Sequence, residues 1–517
     1  MKRRVGTAIL LTLIAMSFRF WLAFSLPPDD DDDGHFYSRI AHNLLEHRGY
    51  SGEEEEPFVP TYVRVPGYPL VLAGIYAAVE SDSQRAVRVV QVVVDTLTCW
   101  FIALLALAWA PREWELVKRR RAMLIAFALA ASCPFTAIYV TTILTEAWAN
   151  ALVLALALIA TLALRTNLSG TAAWLWLVVG VVGGAATMFR PDCALFAAGA
   201  GLMLVSVAAS RFAGSTSEHR PRILLATTVS CIALVSGFAA VLAPWTIRNA
   251  RVFGVFQPVA PPHANQPDEF APLGYIAWLR TWVDDERYVS PVEDALDLYP
   301  IDLEKIPDSA FDSPDERERV ASLLDQYNNT TKPVVAASDA EGDASDAGPT
   351  VKMTPEIDAA FGEIARERIA RHPLRYYFTL PLKRAASLWF DTHSQYYPFD
   401  GELFPVSDLD LETHQQYWLP FFALLTWLYT IIAAGGVWLM LKTESARRWI
   451  ALLVLLIVPR LTFLSFQEHP EARYTVEFFA LILAVGGVAL AGLSLNPIRD
   501  VLGRKRSQEL TSSGGVE

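Results

Sequence analysis

The sequence predicts an all-helical protein that crosses a membrane about ten times, and three observations carry that expectation. Apolar runs recur at 5–26, 86–110, 122–141, 146–164, 172–189, 193–210, 222–245, 417–441, 448–466 and 474–494. Each is long enough to cross the hydrocarbon core. The composition agrees: 53% hydrophobic residues, 15 Trp and a mean hydropathy of +0.29 are too apolar for a water-soluble domain, while 19% charged residues exclude a chain sunk in lipid throughout. Finally, the basic residues of the short loops fall on alternate sides of the runs, as the positive-inside bias requires.

The first run follows Met1-Lys-Arg-Arg4, which is also how a signal peptide begins. It is long and lacks a clean small-x-small cleavage site, so it reads as a retained anchor. Arg112 and Lys118 to Arg121 follow the second run, Arg211, Arg220 and Arg222 the sixth, Lys442, Arg447 and Arg448 the eighth, and Arg499, Arg504, Lys505 and Arg506 the last. An even number of spans then puts both termini and these loops in the cytoplasm of a multi-pass protein of the cell membrane. The acidic stretches, Asp29 to Asp33, Glu53 to Glu56 and most of 251–416, face outward and account for the net charge of −12. A surface of that sign excludes nucleic acid as a partner and leaves membrane lipids as the surroundings. All four cysteines fall inside apolar runs, so no disulfide framework or CxxC metal site is expected.

Four regions follow: a membrane module at 1–250 containing a first external loop at 27–85, an external segment at 251–416 of mixed or irregular structure, C-terminal membrane helices at 417–496, and a cytoplasmic tail at 497–517. In the first loop Phe36, Tyr37, Ile40, Ala41, Leu44 and Leu45 recur at helical spacing opposite polar residues, which predicts an amphipathic helix stopped by Gly49. Pro66 and Pro69 start a second apolar helix, too short to span, through Val79. In the external segment, 328–350 is small and polar; Thr354 and Pro355 suit the N-cap and first turn of a helix ending at His372-Pro373. The aromatic stretch 376–390 carries Lys383 and Arg384 and reads as interfacial. No internal repeat supports an inverted-repeat transporter.

The chemistry-bearing residues gather at the outer ends of the runs. Five adjacent aspartates cannot all ionise freely, and one of them, facing a lipid–water cleft, suits a general base. A hard divalent cation, Mg or Mn, is the minority reading there, because nothing at a second site completes its coordination; a solvated acidic turn is the bland one. Glu146 stands where it forms a second acidic wall of such a cleft, or a plain structural carboxylate. Arg190 and Arg248 lie at outer helix ends, against the positive-inside bias, and a lipid phosphate is the anion a guanidinium binds bidentately; Arg64 and Arg473 are further outward cations, weak taken singly. Snorkelling to headgroups is the alternative for each. Asp95 lies mid-span and reads first as a helix-packing hydrogen bond. The pairs Asn328/Thr330 and Asn329/Thr331 match Asn-x-Thr, a short and unspecific pattern. Absence of GxGxxG, P-loop, HExxH and nucleophile-elbow motifs in suitable contexts removes hydride transfer, ATP-driven pumping and metalloproteolysis.

The ordered set Asp33-x-x-x-Tyr37, Gly49-Tyr50, Arg64-x-Pro66-Gly-Tyr68-Pro69, Thr145-Glu146, Arg190-Pro191, Pro244-Trp-x-x-Arg248-Asn249 and Glu471-x-Arg473-Tyr474 resembles the bacterial GT-C glycosyltransferases related to protein O-mannosyltransferases and the lipid A aminoarabinose transferase. The segment 257–416 matches only as an external insert. The resemblance implies a GT-C-like bundle, and an inverting hexosyl- or pentosyltransferase using a polyprenyl-phosphate-linked sugar donor on the outer face. The acceptor would be a hydroxyl of a protein, glycolipid or wall polymer, and no cofactor is required. By it Asp33 is the base, with Glu146 beside it, and Tyr37, Arg64, Tyr68, Arg190, Arg248 and Arg473 are substrate-binding. Gly34 departs from the Asp-Glu pair of many relatives, and the extra aspartates leave the register open. The competing readings are a non-catalytic transporter or flippase of lipid-linked sugars, and a phosphoryl or acyl transferase using a metal or a base such as His35.

Overall fold

The computed structural model describes residues 2–27, 32–166, 170–263, 265–266, 269–330, 351–404, 406–411 and 413–493. Asp29–Asp31, most of the small polar stretch before Thr354, Thr331 and the C-terminal tail lie outside them. The described residues are helical and contain no strand. In chain order the helices are α1 (Lys2–Ser25), α2 (Asp32–Leu45), α3 (Gly67–Val79), α4 (Gln84–Trp109), α5 (Leu116–Ala131), α6 (Pro134–Ala137), α7 (Glu146–Arg165), α8 (Gly170–Thr187), α9 (Ala194–Ala213) and α10 (Arg220–Phe253). They continue with α11 (Leu273–Leu279), α12 (Pro314–Asn328), α13 (Pro355–Arg371), α14 (Leu380–Phe390), α15 (Gln415–Leu441), α16 (Glu444–Ser465) and α17 (Val476–Gly492).

Eight helices among the described residues are long and apolar enough to cross a membrane. All ten expected runs are helical, but two fall short of a plain span. The run expected at 122–141 breaks at Pro134, and its two parts bend by 59°, because proline cannot continue the hydrogen-bond ladder and crowds the preceding turn. The run at 172–189 gives the shorter apolar helix α8. α10 continues three residues past the expected boundary at 250, to Phe253.

Burial rises toward α17, the innermost helix, which packs against α4, α5, α7 and α15. Where helices touch most closely, glycine makes room. A Cβ on Gly180 of α8 would sit 2.0 Å from the Leu234 carbonyl of α10, and one on Gly237 of α10 would sit 2.4 Å from the Leu177 carbonyl of α8. The two backbones therefore lie against each other, as small residues allow between apolar helices.

The break after α5 leaves C-terminal carbonyls without helical partners. Arg19 of α1 answers them, donating from Nη1 to Ala131 O and from Nη2 to Ala130 O, both at 3.2 Å. Its Nε lies 2.5 Å from Asp95 of α4. The mid-span Asp95 is thus a packing group, and its partner is a charge that the sequence reading passed over.

The described part of the external segment mixes four helices, α11 to α14, with long irregular stretches, as expected. α11, α12 and α13 close on a core of Tyr275, Trp278, Trp282, Val320, Leu324 and Phe361. Ser313 Oγ accepts from Glu316 N at 3.1 Å, and Thr354 Oγ1 accepts from Ile357 N at 3.3 Å; each cap satisfies one of the four donors a helix start leaves open. α12 is hard to recognise because only Val320, Leu324 and Tyr327 of its charged sequence are buried apolar residues. Asn328 exchanges hydrogen bonds with the Ile301 backbone, so that side chain is already engaged.

Candidate functional site

By the alternation of the spans, the ends of α1, α8, α10 and α16 and the starts of α4, α7, α9 and α17 lie on one side of the bundle. The first loop and the external segment lie there too. α2 and α3 form the loop's body, with Tyr37, Ala41, Tyr68 and Leu72 packed together. Asp32 and Asp33 occupy the first turn of α2, where the helix dipole favours negative charge. The chain then turns back at Gly49 (φ +90°), a left-handed conformation glycine adopts at little cost.

Several contacts fix the returning strand of the loop. Asn43 Nδ2 donates to Ser51 O at 2.9 Å and Glu53 O at 2.8 Å, and the Tyr50 hydroxyl donates to Arg64 O at 3.1 Å. Arg248 Nη1 donates to Thr61 O at 2.7 Å. Gly67 N donates to Met188 O at 2.7 Å, and a Cβ there would lie 2.4 Å from that oxygen. Only glycine lets α3 start so close to the turn carrying Arg190.

The result is a cavity of about 260 Å³ whose charged lining includes Asp33, Arg64, Glu146, Arg190 and Arg473. Tyr37 and Tyr474 also line it, and Ala260–Pro262 of the external segment closes one side. Arg64 Nη2 lies 2.6 Å from Asp33 Oδ1, and Arg190 Nη1 lies 2.7 Å from Glu146 Oε1. The Tyr474 ring faces both the Arg190 and Arg473 guanidinium groups, at 5.0 and 5.2 Å from its centroid, so one aromatic face steadies two cations.

The two carboxylates differ in access. The Asp33 side chain is 32% exposed, whereas that of Glu146 is 3% exposed. Asp33 and Arg64 also line a second cavity of about 450 Å³ with Asp32, His35, Phe36 and Arg39, so this ion pair is common to both. Burial works against the Arg64 charge, but Asp33 and the Tyr37 and Tyr474 phenols together hold the guanidinium above its ordinary value. Burial, and then the Asp33 charge, push the Tyr37 phenol well up. For Glu471 burial acts upward, yet Arg473 and His469 together hold it down at about 2.

Two expected binding residues stand elsewhere. Arg248 packs its guanidinium on Tyr50, Trp245 and Phe253 and caps the Thr61 carbonyl. It braces the loop leading to Arg64 and does not line the cavity. Tyr68 is fully buried, donates to Gln91 Oε1 at 2.9 Å and meets the Tyr37 ring edge-on; it backs the wall that Tyr37 presents.

The structure also adds residues. Arg190 Nε lies 3.5 Å from both Asp192 Oδ1 and Glu477 Oε1. Arg460, fully buried on α16, reaches the same two carboxylates at 2.7 and 2.8 Å and donates to Tyr474 O at 2.7 Å. Arg460 and Glu477 are charges inside apolar runs, and the rule that singled out Asp95 applies equally to them. Among the described residues no group of three or more His, Cys, Asp or Glu side chains is disposed to hold a metal ion.

No protein-family model matches the chain, and no curated protein matches it significantly. Solved structures do resemble it in shape. The archaeal oligosaccharyltransferase AglB from Archaeoglobus fulgidus, in complex with an inhibitory peptide and a dolichol-phosphate, is similar at 12% identity and a TM-score of 0.44 over 98% of this chain. The chain spans 52% of that protein. ArnT from Cupriavidus metallidurans bound to undecaprenyl phosphate is similar at 11% identity and a TM-score of 0.35, over 94% of this chain and 78% of ArnT. Likeness at this level is no argument for an activity, which the site's own geometry has to carry.

Proposed function

We propose that this chain is an integral membrane glycosyltransferase that moves a sugar from a polyprenyl-phosphate donor to an acceptor hydroxyl on the outer face of the membrane. The observation that carries the reading is the convergence of Arg64, Arg190 and Arg473 with the reachable carboxylate of Asp33 around one cavity. Fixed guanidinium groups in a partly dehydrated site stabilise the charge that a departing lipid phosphate gains. Asp33 takes the acceptor proton as the hydroxyl oxygen attacks the anomeric carbon and the carbon–phosphate-oxygen bond breaks. One displacement inverts the anomeric centre, and the carrier phosphate leaves without a nucleotide. Asp33 lines two cavities, which suits this division: the phosphate rests among the arginines of one, and the hydroxyl arrives from the other.

Glu146 takes a second role in this scheme. Buried and bonded to Arg190, it orients that guanidinium and leaves proton transfer to Asp33. Asp95, the mid-span carboxylate, is ion-paired with Arg19 in helix packing and gives the transporter reading no support.

The test uses the purified protein in nanodiscs with a panel of polyprenyl-phosphate sugars, following sugar release or transfer by mass spectrometry. Consumption of one donor by the wild type, and its sparing by a folded Asp33→Asn variant, supports both the class and the base. Failure to bind or consume any donor removes the reading; full activity of Asp33→Asn removes the base.

A further inference from the structure

The link between α16 and α17 is short, and it carries the cavity residue Arg473. Its polar side chains are engaged from outside the membrane bundle. Arg280, at the end of α11, places Nε 2.5 Å from Glu468 Oε2 and Nη2 3.1 Å from Gln467 Oε1. Glu468 is 5% exposed, and this pairing offsets part of the cost of burying it. His469 stands between Glu293 of the external segment, at 3.5 Å, and Glu471, at 2.6 Å. Glu471 in turn pairs with Arg473, whose Nη1 donates to the Tyr396 hydroxyl at 3.0 Å.

Arg384 of α14 fixes the far end of this arrangement. Buried among backbone carbonyls, it donates to Val283 O at 2.6 Å, Arg280 O at 2.8 Å and Ser465 O at 3.4 Å. One guanidinium thus binds the end of α11 to the end of α16. The external segment holds the 466–473 link through ion pairs and hydrogen bonds at both of its ends.

From this we infer that the external segment is a positioning element of the cavity: Arg280, acting through Glu468 and Gln467, and Glu293, acting through His469 and Glu471, set the place of Arg473. The inference rests on the proposed function only for the identity of the anion that Arg473 meets. Arg280 and Glu293 touch no ligand in this scheme, and both are positioning residues. The arrangement predicts a penalty at a distance, because removing Arg280 leaves Glu468 buried without its cation and releases the link that carries Arg473.

The experiment compares wild type, Arg280→Ala, Arg280→Lys, Arg473→Ala and the Arg280→Ala/Arg473→Ala double variant in nanodiscs. Affinity is measured for undecaprenyl phosphate and, as the uncharged control, undecaprenol; hydrogen exchange is measured across 466–475 without lipid. Arg280→Ala should weaken binding of the phosphate by about tenfold, the scale of one charged hydrogen bond, and leave undecaprenol binding unchanged. Arg280→Lys should restore part of the loss, since a point charge reaches Glu468 but lacks the fork that also meets Gln467. The double variant should bind no more weakly than Arg473→Ala, because both changes remove the same contact.

Exchange over 466–475 should quicken in Arg280→Ala, and this readout separates the two claims. If exchange quickens but the wild type binds no polyprenyl phosphate, the link is positioned as stated and the proposed function fails. Unchanged exchange, equal loss of phosphate and undecaprenol binding, or additive losses in the double variant each overturn the positioning.

Discussion

Arg64 reaches back across the first loop to place its guanidinium 2.6 Å from the carboxylate of Asp33. This pair brings the start of α2 and the approach to α3 to a single point and lines two neighbouring cavities. It joins a candidate base to a candidate phosphate ligand. Arg64 therefore has two tasks, fixing the carboxylate's direction and carrying positive charge to the site.

Asp33→Asn preserves the shape of that lining and removes the proton acceptor. Transfer should fall by about 10²–10⁴-fold, the usual contribution of a general base, while affinity for undecaprenyl phosphate changes little. Isothermal binding beside a mass-spectrometric transfer assay separates these quantities. Loss of binding equal to loss of transfer would show that Asp33 acts through Arg64's position instead.

Arg190→Ala and Arg248→Ala should diverge, although both stand at helix ends on the same side. Arg190 lines the cavity, and its loss should weaken phosphate binding by about tenfold or more. Arg248 instead satisfies Thr61 O and packs on three aromatic rings. Its replacement should lower the melting temperature and quicken hydrogen exchange over 50–65, with a smaller effect on affinity. Equal losses of affinity in the two variants would return Arg248 to the site.

The contrast also shows where sequence reading reaches its limit. An arginine at a helix end looks the same whether it faces a cavity or caps a carbonyl, because the rotation of its helix is set by tertiary packing. Tyr68 was ambiguous for the same reason: Tyr37 and Tyr68 touch, yet only Tyr37 lines the cavity. Thr354-Pro355 was legible because cap chemistry is local, and α13 begins where those residues place it. The membrane helices were legible because their signal is length and apolarity. The partners of Asp95 and Arg190 were not, since Arg19 and Glu477 come from other helices and pair only after the bundle assembles.

Arg19→Met should destabilise the protein by about 3–5 kcal/mol, the cost of leaving a buried partner charge alone. It would also remove the Arg19 donor from Ala131 O and Ala130 O at the break after α5, of which Ala130 O keeps a backbone donor in Cys133 N. Joint replacement, Arg19→Met with Asp95→Leu, should recover part of the loss, because two apolar side chains remove the unpaired charge but do not restore the Arg19 donor to the carbonyls. Melting temperatures in detergent give the comparison; a double variant no better than Arg19→Met would mean that capping the broken helix is Arg19's main role.

Stability should also fall as pH rises toward alkaline values, through a second group of carboxylates in the external segment. Glu286, Asp391 and Glu402 line one cavity of about 360 Å³ together with Asp285, Asp400 and Arg287. Burial, followed by the charges of neighbouring carboxylates, raises Glu286 and Glu402 to about 8 and Asp391 to about 7. Unfolding returns each group to the ordinary carboxylate range near 4. Between those limits the folded chain binds more protons than the unfolded one, so the slope of unfolding free energy against pH is negative. The stabilising contribution is full below about pH 4, declines through neutrality and is gone above about pH 8. Glu286→Gln, which keeps the shape and cannot ionise, should flatten that decline between pH 5 and about 8 in thermal melts of the whole protein. A variant whose pH profile overlays the wild type would show that Glu286 ionises in the folded chain much as it does in the unfolded one.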